Sequence, residues 1–180
     1  MSLSSFTKFD TNGKINVYDG SGTVVSILGV PYVEGDVKVT GLGSRLNALV
    51  VTEARGRVTG YGWGDRVFPM ITLSEQITQL VATSAPGPLR DFLTKTGAYA
   101  SNTSVLGSGS GLPYAVKIEL VTQGTAFGDA DDTLTLNKVL FPQYDYEWGR
   151  PNKHKWAGKV CGTVLLNGTT IGQEIDTAGV

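Results

Sequence analysis

The sequence predicts a mainly β fold: a sandwich or barrel of antiparallel strands, one short flanking α-helix at about residues 88–96, and long loops. Three observations carry this expectation. Twenty-four glycines punctuate short runs in which apolar and polar residues alternate. Turn signals recur at roughly 8–12-residue spacing, as in sandwiches and barrels. Only Leu89, Phe92 and Leu93, at i, i+3 and i+4, repeat with a helical period.

In chain order, Asn12-Gly13 signals a turn and Lys14 to Tyr18 alternates, with Ile15 and Val17 on one face. Asp19-Gly20-Ser21-Gly22 turns the chain back into Thr23 to Leu28, a hairpin whose Asp-Gly step tolerates positive φ. Gly35-Asp36 opens a strand with Val37 and Val39 on one face and Lys38 and Thr40 on the other. Leu46 to Val58 reads as one longer strand, most buried at Leu49, Val50 and Val51. Glycines 56, 60, 62 and 64 predict bulges, bends or close backbone approach, and Arg66 to Ile77 resumes extended structure. Ser84 to Pro88 is a break. Pro88 suits the first turn of the helix, Lys95 its last turn, and Gly97 can end it.

Tyr99 to Pro113 is a Ser/Gly/Asn loop, flexible by composition. Tyr114 to Thr122 alternates with Val116, Ile118 and Leu120 inward, and Thr133 to Phe141 is its expected antiparallel partner. Gln143 to Lys153 reads as a polar, aromatic loop and His154 to Leu166 as a last long strand. Asn167-Gly168 turns into a short strand near Thr169 to Ile171. The 180 residues suit one domain spanning 1–180, with flexible ends at about 1–9 and 173–180.

Composition narrows the function classes. One histidine and one cysteine remove the commonest means of catalysis and metal binding, so no enzyme activity and no cofactor are expected. A net charge of −1 argues against affinity built on a basic field over nucleic acid. Charged residues make up only 17%, which fits either a surface covered by another protein or a broad face of Ser, Thr, Asn and Gly. A lone Cys161 implies no internal disulfide. The first residues lack the basic-then-apolar pattern of a secretory leader, and no apolar run approaches membrane-spanning length.

Individual motifs point the same way. Gly107 to Gly111 leads into a strand rather than opening a helix, so it reads as a flexible linker and not a phosphate loop. Asp129-Ala130-Asp131-Asp132 lacks the glycine and glutamate of a calcium loop, since Leu134 and Leu140 stand there, and reads as a solvated acidic tip. His154 lies between Lys153 and Lys155, cations that would lower its pKa. Glu53 and Glu75 could pair as carboxylates for glycoside hydrolysis, but solvated strand positions fit them better. Tyr99, Tyr144, Tyr146, Trp148 and Trp156 fit a sugar platform, anchors between subunits, or core packing equally.

Two stretches together resemble the tail tube proteins of long-tailed bacteriophages and the related tubes of contractile injection machines. The first is Gly35-Asp36-Val37-Lys38-Val39-Thr40-Gly41-Leu42, then Arg55-Gly56-Arg57-Val58-Thr59-Gly60, then Gly64-Asp65. The second runs from Val116 to Leu120, through Phe127-Gly128-Asp129 to Leu136, to Trp148-Gly149-Arg150-Pro151-Asn152 and Gly158 to Val164. The resemblance implies a β-sandwich with a flanking helix, six copies per ring, and sheets of neighbours joined into an inner barrel. Rings would stack into a virion tail tube, assembled in the host bacterial cytoplasm, that conducts viral DNA without sequence-specific binding. Tape-measure, tail-terminator and baseplate proteins, and a sheath in contractile tails, are the implied partners. Asp129, Asp131 and Asp132 are then candidates to face the lumen. Arg55, Arg57, Tyr61, Trp63, Tyr99, Trp148 and Arg150 are candidates for subunit or ring contacts. Ring stacking falls to the segment between Thr40 and Tyr61 or to the 99–113 loop. The alternatives are another virion component, such as a tail terminator or head-decoration protein, and a carbohydrate-binding β-sandwich.

Overall fold

Apolar residues at every second position can bury one face of a strand, and here they assemble one long curled antiparallel sheet. The computed structural model describes residues 13–22, 24–26, 37–43, 47–76, 89–109, 111–124, 128–150 and 152–171. Its strands are β1 (Gly13–Tyr18), β2 (Val24–Ser26), β3 (Val37–Thr40), β4 (Asn47–Ala54), β5 (Arg57–Arg66) and β6 (Met70–Gln76). After the helix α1 (Leu89–Thr94) come β7 (Ala115–Thr122), β8 (Asp132–Glu147), β9 (Lys153–Val160), β10 (Val164–Leu166) and β11 (Thr169–Thr170). The sheet runs β2-β1-β7-β8-β9-β6-β3, with β10 attached to β8 and β11 to β10, while β4 and β5 pair only with each other.

The core lies on one face of the sheet. Val17, Ile71, Leu73, Val116, Ile118, Leu136, Val139, Trp156 and Val160 form it, and Leu89 and Phe92 of α1 close over them. Phe92 meets the Tyr99 ring edge-to-face at 5.4 Å. The helix ends at Thr94, two residues before the expected end: Lys95 (φ 55°) follows it in the left-handed conformation, and Gly97 (φ 57°), left-handed too, opens a 3-10 turn through Tyr99. Among the described residues, no helix is long and apolar enough to cross a membrane.

Three segments differ from the sequence reading. Leu46 to Val58 is not one buried strand. Arg55 (φ 53°) and Gly56 (φ 74°) form a two-residue turn with both central residues left-handed, which makes a β4–β5 hairpin. Leu49, Val50 and Val51 are 59%, 47% and 41% exposed there. Alternation marks extended chain; it does not say whether a second layer covers it. The 143–153 loop is strand as far as Glu147, because a one-residue bulge between Leu140 and Gln143 restores register. Tyr144 then faces Trp156 and Tyr146 faces His154. The bulge swings Phe141 over β9, where Gly158 leaves room for its ring: a Cβ on Gly158 would sit 2.6 Å from Phe141 Cε1. Lastly, the strand expected over His154 to Leu166 breaks after Val160, and β10 pairs with β8 further along.

The 99–113 loop is also held rather than free. Asp19 is buried and its Oδ2 accepts from Thr103 N at 3.1 Å, while Gly20 N donates to Thr103 O at 2.9 Å. Ser104 Oγ accepts from Ala115 N and Leu106 N and donates to Pro113 O. Gly20 serves this closure more than the turn, since a Cβ there would lie 2.2 Å from Ser104 O. Gly20→Ala is therefore expected to cost about 1–3 kcal/mol of stability by overpacking against backbone. Gly62→Ala, with nothing within 4 Å of its Cβ position on the exposed hairpin, stays within about 0.5 kcal/mol of wild type. Urea denaturation of the two variants checks the contrast.

Candidate functional site

Strand β8 outlasts the strand beside it. Its pairing with β7 stops at Ala115↔Leu140, and its pairing with β9 continues to Glu147↔Lys153. Beyond Leu140 the described sheet holds the end of β8, then β9 and β6, with β3 as a fourth strand level with Gln143 and Tyr144. Both margins of this segment lack a neighbour among the described residues, β3 because it pairs only with β6, and β8 because β7 has ended. Pro142, which has no N–H to leave unpaired, sits at the start of the open β8 margin.

The two faces of these four strands differ. One bears Val37, Val39, Ile71, Leu73, Trp156, Tyr144 and Tyr146 and belongs to the core side. The other bears Lys38, Thr40, Thr72, Ser74, Lys155, Lys159, Gln143, Asp145 and Glu147, all exposed or half-buried. Lys155 Nζ lies 2.9 Å from Glu147 Oε2 on that face. Stacking of Tyr144 on Trp156 at 4.4 Å extends the core side outward, and Tyr146 and Trp148 carry it to the tip of the β8–β9 arm.

The β4–β5 hairpin is the second exposed feature. It presents Leu49, Val51 and Tyr61, the last 77% exposed, on one face. Its other face is flat, with Gly60, Gly62 and Gly64 across from Thr52 and Val50. A clasp fixes its root to the sheet. Arg66 Nη2 donates to Cys161 O at 3.2 Å, and Arg66 and Lys159 both lie over the Phe68 ring, at 4.9 and 4.0 Å.

Beneath α1 lies a buried polar cluster. Glu75 Oε1 accepts from Leu89 N at 2.7 Å and Oε2 from Arg90 N at 3.3 Å, so a β6 carboxylate caps the helix. His154 Nδ1 is 3.7 Å from Glu75 Oε2 and has no hydrogen-bond partner among the described residues. Burial pushes the Glu75 carboxyl upward against the pull of the two amides. Burial first, and Arg90 next, hold His154 below its usual value. The flanking lysines have no part in that shift: alternation turns Lys153 and Lys155 to the opposite face. Glu75 is thus a structural cap, not the solvated residue expected, and Glu53 lies on the separate hairpin sheet.

The sequence-predicted contact residues fall into separate places. Arg55, Arg57 and Tyr61 are exposed on the hairpin, and the Trp63 side chain lies outside the described residues. Trp148, 82% exposed, and Arg150 stand at the β8–β9 tip. Tyr99 is 2% exposed in the core, which removes it from the surface candidates. Trp156, at 3%, cannot form a sugar platform with Trp148. Asp129, Asp131 and Asp132 are at the β7–β8 turn, where Asp131 Oδ1 accepts from Gly124 N and Asp132 Oδ1 from Asn167 Nδ2. The residues missed by sequence reading are Lys38 and Asp145 on the open margins and the Glu75–His154 pair; only strand order reveals them. Among the described residues, no group of three or more His, Cys, Asp or Glu could hold a metal ion.

The His154 shift has a defined sign. Folding favours its neutral form, so its contribution to stability is complete above about pH 6.5 and is lost as pH falls through the lowered folded value. Glu75 runs oppositely: its protonated form is favoured, and its contribution is lost as pH rises through the raised folded value. Urea midpoints of wild type and His154→Gln between pH 8 and pH 5 separate the two. The advantage of wild type over the variant is expected to shrink below about pH 6.5.

No family model matches this chain. No curated protein matches it either. Solved structures do. A chain of the anti-feeding prophage baseplate, determined by cryo-electron microscopy with six-fold symmetrisation, superposes with a TM-score of 0.55 at 10% identity, over 92% of this chain and 97% of that one. A chain of the PVC sheath/tube terminator of an extracellular contractile injection system, in the extended state, gives 0.53 at 12% identity, over 91% and 99%. This chain shares their fold.

Proposed function

We propose that this chain is a structural subunit of the tail tube of a phage or a phage-tail-like contractile particle, and not an enzyme. Copies join margin to margin into a six-membered ring, and rings stack into a hollow tube. The observation that carries this reading is the four-stranded segment with an open margin on each side. An open strand edge invites pairing, and a barrel abolishes edges by closing on itself. A head-to-tail contact between two different margins closes into a ring when the rotation fits. The likeness in fold to chains of a six-fold baseplate and of a tube terminator supports the same assembly type.

In such a ring the face bearing Thr72, Ser74, Gln143 and Lys155, which α1 does not cover, lines the channel through which DNA or other cargo passes without sequence-specific contact. The hairpin, apolar and detached from the core, reaches the next ring. It is preferred to the 99–113 loop because that loop is pinned inward by Asp19 and Tyr99. Tape-measure, terminator and baseplate proteins, and a sheath where the tail contracts, are the partners of this reading. The same fold in a baseplate structure and a terminator structure favours a second reading, a ring that caps or seats a tube.

Negative-stain microscopy and light scattering of the purified protein test both. Hollow tubes of stacked six-fold rings are expected; isolated rings select the second reading, and a strict monomer at high concentration overturns both. Shortening the hairpin by removal of residues 52–59 is expected to leave rings that do not stack. Tubes of normal length from that variant would take the hairpin out of the stacking contact.

A further inference from the structure

Among the described residues, the two open margins carry opposite charge on the same face. On β3 the only charged residue is Lys38, exposed, with no ion-pair partner among the described residues. On the end of β8 the exposed face bears Gln143, Asp145 and Glu147. Glu147 is engaged by Lys155, which leaves Asp145 the carboxylate without a salt bridge or hydrogen bond among the described residues. On the opposite face both margins are apolar: Val37 and Val39 on β3, Tyr144 and Tyr146 on β8.

We infer that Lys38 of one copy and Asp145 of the next face each other across the joint between subunits, and that this pair sets the polarity of assembly. Two copies can bring these margins together in three ways. A β3–β3 joint sets Lys38 beside Lys38, and a β8–β8 joint sets Asp145 and Glu147 beside their own kind. Like charges opposed across strands destabilise, and opposite charges stabilise. Only the β3–β8 joint matches on both faces, with Val37 and Val39 against the tyrosines and the ammonium against the carboxylate. The consequence is architectural. A like-with-like joint is two-fold and stops at a dimer, whereas a β3–β8 joint leaves each end open to the next copy and propagates. The pair thus discriminates against the wrong product as well as favouring the right one.

The inference rests on the tube reading only in requiring that these two margins meet. Its test uses Lys38→Glu and Asp145→Lys, at exposed positions, with circular dichroism and thermal melting to show that each variant folds as wild type does. Light scattering and negative-stain microscopy are expected to show that each single variant needs about five- to tenfold more protein to form rings. The double variant Lys38→Glu/Asp145→Lys is expected to recover wild-type assembly. Mixing the two single variants is expected to recover it too, because alternate copies then present opposite charges at every joint. A wild type that stays monomeric overturns both this inference and the tube reading. A wild type that forms rings while both single variants do so equally well overturns the charge pairing alone.

Discussion

Backbone pairing is the constraint on which the rest of this molecule depends. Every strand must find partners for its N–H and C=O groups, and most of the described strands find them on both sides in one long antiparallel sheet, with β2 and β3 at its ends. One interior strand also loses a neighbour part-way along. Strand β7 begins at Ala115, opposite Leu140, and β8 runs on to Glu147 with a neighbour on one side only. Had β7 started six or seven residues earlier, roughly one more strand length, the sheet would have had no free lane there. The open lane exists because Pro113 and Tyr114 belong instead to the loop that Ser104 and Asp19 tie down.

The bulge at Leu140–Gln143 makes that lane usable. Without it, Tyr144 and Tyr146 would turn to the face that bears lysines and threonines, and Asp145 would turn into the core side. The extra residue restores the apolar face, and the aromatic stack from Trp156 to Tyr144, with Tyr146 and Trp148 beyond, stiffens the arm. Gly158 accommodates the displaced Phe141 ring. Helix α1 is tied to the same strands from the core side: the Glu75 carboxylate caps it, next to His154 on β9. Burial of those two groups costs solvation, so the helix position is bound up with the state of β6 and β9.

The hairpin obeys a different logic. It pairs internally and with no strand of the main sheet, so only its inward-pointing backbone groups are bonded by the ladder. Its apolar side chains are not satisfied in the same way. Leu49, Val51 and Tyr61 stay in solvent, in a pattern monomeric proteins seldom tolerate over a contiguous patch. The Arg66–Phe68–Lys159 clasp sets the direction in which it leaves the domain. Open margins and a clasped apolar hairpin lie on separate elements, which permits lateral and axial contacts to be made by different parts of one chain.

Sequence alone determined that this chain is β-rich, where most of its strands lie and which of their faces is apolar. Period-2 alternation at Ile15, Val17, Val116 and Ile118 and the Asn167-Gly168 turn express local stereochemistry, and local stereochemistry is written in neighbours. The helix followed from three apolar residues at helical spacing. Sequence could not separate the buried run in β6 from the exposed run Leu49–Val51, since burial depends on what another part of the chain lays over a strand. Nor could it show that Gln143 to Glu147 is strand, because those residues owe their conformation to Trp156 and His154 across the ladder. The candidate site is almost wholly a tertiary product. Lys38 and Asp145 are ordinary alternating polar residues more than one hundred positions apart, and only the order of strands makes one the margin of a sheet and the other its opposite margin.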